Sequence, residues 1–289
     1  MIPSTFSYQR AGSVEEALSL ASEHGDDAKF LAGGHSLLPL MKLRLAAPEV
    51  IIDLGGLHDL SYVNDQGSYV AIGALTRHHD VEHSDVLARE VPLLAHAAGQ
   101  VGDPQIRHRG TIGGSIAHAD PAADFPTVLV ALGATVLARG PKGARKIPAE
   151  KFFVDLFTTA LKPGEIVTAV VVPGYGKGTG AAYLKHPHPA SRYAVVGVAA
   201  IVEVKDGKVS RGSLVVGGTT PNPVRATAAE AALSGHKADA GPIAAAAGKV
   251  AAAIEDPLSD TYASGEFRVH LATVLSKRAL AIAAERAGG

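Results

Sequence analysis

Short apolar runs, separated by polar segments rich in glycine, fill the first two thirds of the chain. The segment from Ser13 to Ala21 has apolar residues at helical spacing, and Ser13 with Glu16 three residues later predicts a capped helix start. Apolar runs predict strands at residues 28–32, 50–54, 60–63, 69–73, 135–138 and 165–173. Further segments predict helices at residues 37–44, 77–82, 92–101 and 125–132.

The last third of the chain has a different pattern. Three runs predict antiparallel strands at residues 181–185, 194–204 and 208–216, with Asp206-Gly207 as a tight turn. The alanine-rich remainder, residues 227–287, predicts helices that break at Gly235, Gly241-Pro242 and Pro257. The glycine-rich segment 174–180 is typical of a linker, so we expect a domain boundary near residue 177.

Two glycine pairs carry the candidate chemistry. The first motif is Ala32-Gly33-Gly34-His35-Ser36, and the second is Thr111-Ile112-Gly113-Gly114-Ser115. Glycine has no Cβ and reaches positive φ freely, so consecutive N–H groups can turn toward one anion. Two such motifs suit a diphosphate, although each pair alone is also compatible with an ordinary tight turn. The sequence has neither the lysine-containing phosphate loop nor the usual dinucleotide fingerprint.

The segment 104–126, which contains the second motif, is unusually dense in glycine, proline, aspartate and histidine for a loop. Long loops are more often functional than idle, so we expect this one to contribute to a binding site.

Composition narrows the possible functions. The 289 residues have a formal net charge of −1, which gives no electrostatic reason to expect nucleic acid as a partner. Cysteine is absent, which excludes disulfides, thiolate zinc sites and Cys-ligated iron–sulfur clusters on this chain. No signal peptide or apolar run of membrane-spanning length is evident, so a cytoplasmic location is the default expectation.

Neither a catalytic constellation nor a metal site is predicted. No nucleophile–base arrangement stands out along the sequence. His186 and His188 lack a nearby third ligand, and for His78, His79 and His83 a solvated helix face is favoured over metal binding.

The two glycine motifs are followed by two further segments, Asp120-Pro121-Ala122-Ala123-Asp124 and Ser191-Arg192-Tyr193-Ala194. The order of these four segments and their separations match those of a known family. In these features the chain resembles the medium, FAD-binding subunit of molybdenum hydroxylases, the family of bacterial carbon monoxide dehydrogenase and its xanthine-dehydrogenase-like relatives. The similarity extends over the whole chain.

The resemblance implies an α+β fold: a two-lobed FAD-binding domain of the vanillyl-alcohol-oxidase type, followed by a three-stranded antiparallel sheet with a helical bundle. The expected domains are residues 1–177, with lobes of about 1–56 and 57–177, and residues 178–289. FAD would lie between the lobes. A large subunit would hold the molybdenum cofactor, and a small subunit would hold two [2Fe-2S] clusters. The whole complex would be a dimer of heterotrimers. It could associate peripherally with a membrane.

The resemblance also implies residue roles. The Gly33, Gly34, Gly113 and Gly114 amides would contact the FAD diphosphate. The other cofactor-binding residues that we expect are Lys29, Ala32, His35, Ser36, Leu37, Thr111, Ser115, His118, Asp124, Lys185 and Tyr193.

Several of these residues have expected contacts, and some have alternatives. Ser36 and Thr111 would add hydroxyl donors to the diphosphate, and Tyr193 would stack near the isoalloxazine with Lys185 reaching the same region. Asp124 would accept hydrogen bonds from a ribose or ribityl diol.

For Ser36 and Asp124 a helix N-cap is the alternative, for His35 a structural hydrogen bond, and for Lys29 plain solvation. Ser115 and His118 stand where relatives often have asparagine, so their contacts stay open.

The expected function is electron transfer: FAD on this chain takes electrons from iron–sulfur clusters and passes them to an external acceptor. Two alternatives remain, a stand-alone flavin oxidoreductase and a scaffold without redox activity. The sequence names neither the reducing substrate nor the acceptor.

Overall fold

Four β-sheets and the helices between them make up residues 2–288, the part of the chain that this computed structural model describes. Met1 and Gly289, the outer ends of the predicted domains, lie outside it. The strands are β1 (Ser7–Arg10), β2 (Ala28–Leu31), β3 (Val50–Asp53), β4 (Val63–Asp65), β5 (Tyr69–Gly73), β6 (Thr135–Gly140), β7 (Gly143–Pro148), β8 (Phe153–Asp155), β9 (Thr158–Thr159), β10 (Ile166–Pro173), β11 (Thr179–Pro187), β12 (Ala194–Lys205), β13 (Lys208–Gly217) and β14 (Val224–Arg225).

The α-helices are α1 (Val14–His24), α2 (Leu37–Lys42), α3 (His78–Glu82), α4 (Asp85–Glu90), α5 (Pro92–Gln100), α6 (Pro104–Arg107), α7 (Ile112–His118), α8 (Asp124–Leu132), α9 (Ala149–Phe152), α10 (Thr227–Leu233), α11 (Ala240–Ala247) and α12 (Gly265–Gly288). Short 3₁₀ turns occur at Gly25–Asp27, His58–Leu60 and Val250–Ala253.

The N-terminal lobe is a parallel sheet in the order β1-β3-β2, with α1 packed against it. As predicted, the Ser13 side chain caps α1 by accepting the Glu16 N–H at 3.1 Å. Ala17 and Leu18 of α1 are buried with Ile52 of the central strand. Strand β2 leads directly into the first glycine motif, so this sheet fixes where that motif starts.

The second lobe is an antiparallel sheet in the order β4-β5-β10-β6-β7. Its apolar core includes Leu94 of α5, Phe125 and Leu129 of α8, and Val136 and Val170 of the sheet, all fully buried. The second glycine motif begins α7, next to this core.

The C-terminal sheet has the order β11-β12-β13-β14. Its three long strands agree with the expected three-stranded sheet, and β14 adds a two-residue fourth strand beside Val215 and Val216. One face, with Tyr183 and Val215, joins the core of the second lobe, whereas the other face, with Val198 and Val216, packs with the C-terminal helices. This sheet therefore connects the two parts of the molecule.

Three predicted elements differ from the observed ones. The second glycine pair lies in the first turn of α7 and not in a long loop. The first strand of the predicted hairpin is β4, which starts at Val63, because Leu60 belongs to a 3₁₀ turn. Gly241-Pro242 does not break a helix but lies in the first turn of α11, where proline needs no N–H partner.

Within residues 2–288, no helix combines the length and the apolar character that a bilayer crossing requires.

Candidate functional site

A cavity of about 450 Å³ lies where the two lobes and the β11–β12 loop meet. This volume is within the range of small-molecule and cofactor sites. Of the predicted cofactor residues, Lys29, Ala32, Gly33, Gly34, His35, Ser36, Leu37, Thr111, Gly113, Gly114, Ser115, His118, Asp124 and Tyr193 line it. Lys185 does not. The structure therefore brings residues from remote parts of the chain to one place.

The two glycine motifs are in direct contact. A Cβ on Gly33 would lie 2.3 Å from the Arg109 carbonyl oxygen and 2.7 Å from the Gly110 Cα, which are backbone atoms. A Cβ on Gly114 would lie 3.7 Å from the Ala32 Cβ. Only glycine at position 33 permits this approach, which joins the motifs into one cradle.

The first motif supplies free donors. Within residues 2–288, the backbone N–H groups of residues 33–37 make no hydrogen bond, and Ser36 does not cap α2 with its side chain. Gly34 has φ +76°, a conformation that favours glycine. Consecutive unpaired N–H groups at a helix start, in residues that line a cavity, can form an anion-binding arrangement.

The second motif plays a different part. The Gly113 N–H donates to the Ala74 carbonyl at 2.8 Å, and the Gly114 N–H donates to the Thr111 hydroxyl at 3.2 Å. A Cβ on Gly113 would lie 2.5 Å from the Ala74 Cβ. The expectation that these two amides are free for a diphosphate does not fit these bonds. The pair instead allows the close packing that sets α7 against the cavity.

Tyr193 reaches the cavity from the β11–β12 loop. Its backbone is held because the His188 N–H donates to the Tyr193 carbonyl at 2.8 Å and the Ala194 N–H donates to the Ala122 carbonyl at 3.0 Å. The Tyr193 hydroxyl is near the Ser36 side chain, and burial, with Asp120 and Asp124 nearby, raises the pKa of Tyr193. The loop thus touches the first motif across the cavity.

Asp124 is a buried carboxylate in the cavity wall. It accepts the Tyr183 hydroxyl at 2.6 Å and pairs with the Lys185 ammonium at 2.9 Å. Burial raises the pKa of Asp124, and Lys185 opposes that shift. Ala123 occupies the N-cap of α8, so the alternative of an Asp124 cap is not what the structure has.

Lys185 lies behind the wall and not in the cavity. Its side chain is 3% exposed, and its ammonium also donates to the Gln100 carbonyl at 2.7 Å and the Arg192 carbonyl at 2.8 Å. The expected direct reach of Lys185 to the flavin is therefore replaced by a positioning role. Lys185 holds Asp124 and the Tyr193 loop in place.

Sequence reasoning missed His78 as a wall residue. It is 4% exposed, its N–H donates to the Gly110 carbonyl at 3.0 Å, and its ring centroid lies 5.1 Å from that of Phe125. Burial, with smaller contributions from His35 and Arg107, lowers the pKa of His78 to about 4. The charged neighbours of His78 in the sequence suggested a solvated helix face and gave no signal of this burial.

The cavity chemistry fits a flavin dinucleotide. Free N–H groups and hydroxyls suit a diphosphate, and apolar side chains such as Leu40, Leu75 and Ile166 suit flat rings. A Cβ added to Gly33 would collide with the backbone of Arg109 and Gly110, so the close approach at this point requires glycine.

Comparison with known proteins identifies the family. The model of the FAD binding domain in molybdopterin dehydrogenase matches residues 4–175, and that of the CO dehydrogenase flavoprotein C-terminal domain matches residues 181–283. The chain belongs to the FAD-binding medium subunits of the molybdenum hydroxylases. This confirms the resemblance, FAD as the cofactor of this chain, and its nature as an oxidoreductase subunit.

Three relatives illustrate the range of the family. The carbon monoxide dehydrogenase structure from Hydrogenophaga pseudoflava is 40% identical, with 99% of both chains covered and a TM-score of 0.96. The glyceraldehyde dehydrogenase medium chain of Sulfolobus acidocaldarius is 40% identical over 96% of this chain and 98% of its own length. Subunit alpha of the 6-hydroxypseudooxynicotine dehydrogenase complex of Paenarthrobacter nicotinovorans is 39% identical over 99% of this chain and 97% of its own length.

Proposed function

We propose that this chain takes electrons from iron–sulfur clusters on a small partner subunit and passes them to an external acceptor. In this proposal a large partner subunit holds the molybdenum cofactor and oxidises the substrate. The chain has no cysteine that could hold a cluster of its own, and its relatives are named as subunits or medium chains. FAD, when bound, supplies the electron-accepting and electron-donating chemistry.

The FAD site in this proposal is the cavity between the glycine motifs. The observation that carries it is the row of N–H groups at residues 33–37, which have no partner within residues 2–288. These residues line the cavity beside the contact of Gly33 with Arg109. These groups hold the diphosphate. Ser36 and Thr111 add hydroxyls, His35 lies beside the diphosphate, and Tyr193 covers the ring system from its loop.

Asp124 accepts hydrogen bonds from a cofactor diol in the same proposal. Its pairing with Lys185 and Tyr183 keeps the carboxylate in one orientation in the wall. Lys29, Ala32, Leu37, Ser115 and His118 complete the lining.

The reducing substrate is set elsewhere in the complex. Relatives that are 39–40% identical to this chain are named for carbon monoxide, glyceraldehyde and 6-hydroxypseudooxynicotine. Because such similar flavin subunits occur in enzymes named for such different compounds, the substrate site is better placed on the molybdenum subunit.

The organisation that we propose keeps the predicted domains, 1–177 and 178–289, with lobes of about 1–56 and 57–177. The gap between the two family matches, residues 176–180, supports this division. A dimer of heterotrimers and a cytoplasmic location stay predictions.

The test is reconstitution of the purified full chain with FAD. We expect one FAD per chain, flavin absorbance that dithionite bleaches, and negligible oxidation of carbon monoxide, aldehydes or N-heterocycles until the partner subunits are added. A chain that stays colourless with excess FAD would support the scaffold alternative. Turnover of a substrate by the chain alone would support a stand-alone oxidoreductase.

A further inference from the structure

We propose that His79, Glu82 and His83 form a binding site for a late first-row divalent cation such as Zn²⁺. The two histidines are four residues apart at the end of α3, so their side chains lie on one side of the helix. One ligand atom from each of the three residues lies within 4.8 Å of the other two. Two imidazoles and a carboxylate are a donor set that suits zinc and its neighbours.

One ring nitrogen of His83 is occupied by a hydrogen bond. Its Nδ1 lies 2.9 Å from the His79 carbonyl oxygen, which can only accept, so Nδ1 carries the proton. In the neutral ring, Nε2 is then the nitrogen with the free lone pair, whereas Nδ1 is the atom that lies 3.8 Å from the Glu82 Oε2. Metal-binding histidines in proteins commonly have this second hydrogen bond, which fixes the tautomer and the ring orientation.

Glu82 is likewise oriented by a neighbour. Its Oε2 lies 2.7 Å from the Arg107 Nε, and the Arg107 Nη1 donates to the Val101 carbonyl at 3.0 Å. The Glu82 side chain is 23% exposed, whereas its Oε2 is buried against Arg107, so Oε1 is the oxygen that a cation would reach. Three protein ligands leave the fourth position of a tetrahedral site to water.

The His79 ring packs against two other imidazole rings, tilted by 40° and 33°. Its ring centroid lies 4.3 Å from that of His83 and 4.1 Å from that of His108, which follows α6. The cluster therefore connects α3 to the segment that leads into the second glycine motif.

A cation here would brace the wall of the flavin cavity from outside. At the other end of α3, the His78 N–H donates to the Gly110 carbonyl, and Arg77 is bridged to Thr111. The cation fixes the helix to which the second motif is bound. This role is independent of the electron-transfer proposal, because none of the three ligands lines the cavity.

The test uses the full chain loaded with FAD and titrated with Zn²⁺ by calorimetry. We expect one equivalent of Zn²⁺ per chain. His79→Gln with His83→Gln should weaken its affinity by at least about tenfold, the lower end of what even an outer-shell change costs. The matched control is His186→Gln with His188→Gln, a second histidine pair at the end of β11 and just after it, which should leave the affinity unchanged.

Co²⁺ gives a second readout, since its visible absorption distinguishes a four-coordinate imidazole and carboxylate site from the hydrated ion. Flavin absorbance confirms that each variant is folded. Absence of Zn²⁺ binding would overturn the proposal. An equal loss of affinity in both double variants would also overturn it, and would assign the binding to scattered surface histidines.

Discussion

Gly33 is the residue at which the first glycine motif touches Arg109 and Gly110, which lie just before the second motif. In Gly33→Ala the new Cβ would meet the Arg109 carbonyl oxygen, a backbone atom that no side-chain rotation can move away. We expect the first motif to shift, FAD affinity to fall at least about tenfold, and unfolding free energy to fall by about 1–3 kcal/mol. Fluorescence titration of the apoprotein with FAD, together with urea unfolding, measures both quantities.

The matched control is Gly241→Ala. That Cβ would have no atom within 4 Å, and Gly241 has no positive φ. Equal FAD affinities for Gly33→Ala, Gly241→Ala and the unmodified chain would contradict the convergence of the motifs as the basis of binding.

His78 makes the stability of the chain depend on pH. Its pKa falls from 6.5 to about 4 on folding, because burial disfavours the charged form. The contribution of His78 to stability is therefore complete above pH 6.5 and is lost as pH falls from 6.5 through 4, by roughly 3 kcal/mol in all.

His78→Leu should remove this loss, so that stability declines less steeply with acid. Urea unfolding at several pH values between 7 and 4 measures the difference. His96→Leu, at an exposed position of α5, serves as the control and should keep the original slope. A slope for His78→Leu equal to that of the unmodified chain would show that His78 is not the group responsible.

The residues of the cavity were largely predictable, because the two motifs mark their own positions in the sequence. The free N–H groups of residues 33–37 follow from a glycine pair between a strand and a helix. What the sequence could not show is which bonds each amide already has. The bond from the Gly113 N–H to the Ala74 carbonyl depends on how α7 packs against the end of β5, which no local pattern reports.

At the scale of elements, Lys185 holds three segments together: the end of α5, the start of α8 and the β11–β12 loop. Lys185→Met would leave the Asp124 carboxylate buried with Tyr183 as its remaining side-chain partner. We expect a loss of roughly 3–5 kcal/mol in unfolding free energy, the usual cost of removing one partner of a buried pair.

Adding Asp124→Asn to Lys185→Met removes the unpaired charge and should recover part of that stability. Urea unfolding of both variants measures it. If Lys185→Met were as stable as the unmodified chain, the Lys185–Asp124 pair would not be what holds the three segments together.

Gly180 allows β11 to lie directly on α12. A Cβ there would be 2.0 Å from the Ala283 carbonyl oxygen and 2.4 Å from the Ala287 nitrogen. Gly180→Ala should therefore separate the strand from the helix and lower unfolding free energy by about 1–3 kcal/mol. In Gly176→Ala, four residues earlier, the nearest atom is 3.9 Å away, so thermal unfolding of the two variants should differ clearly.

Elements with a strong apolar pattern were predicted well, and polar ones were missed. Strands β12 and β13 appear almost at the predicted bounds. Strand β1, with the polar sequence Ser7–Arg10, and β7, which carries Arg145 and Lys146, have no such pattern. Both lie at sheet edges, where pairing with a neighbour and not burial determines the strand.

At the scale of the whole molecule, the C-terminal sheet belongs to two cores. Tyr183, Ala199 and Val215 pack into the core of the second lobe, and the Ser213 hydroxyl donates to the Ala131 carbonyl at 2.9 Å. Separating residues 178–289 would expose this face. We therefore expect flavin fluorescence and far-ultraviolet circular dichroism to follow a single, coincident unfolding transition in urea. Two separated transitions would mean that the predicted domains are independently stable.

The walls of the cavity come from segments that begin at Lys29 and end at Tyr193. A nascent polypeptide that has left the ribosome only as far as α8 has both glycine motifs but lacks the aromatic wall. With FAD in this cavity as proposed, we expect its capture during biosynthesis to wait until the chain extends past β11, the first strand of the C-terminal sheet.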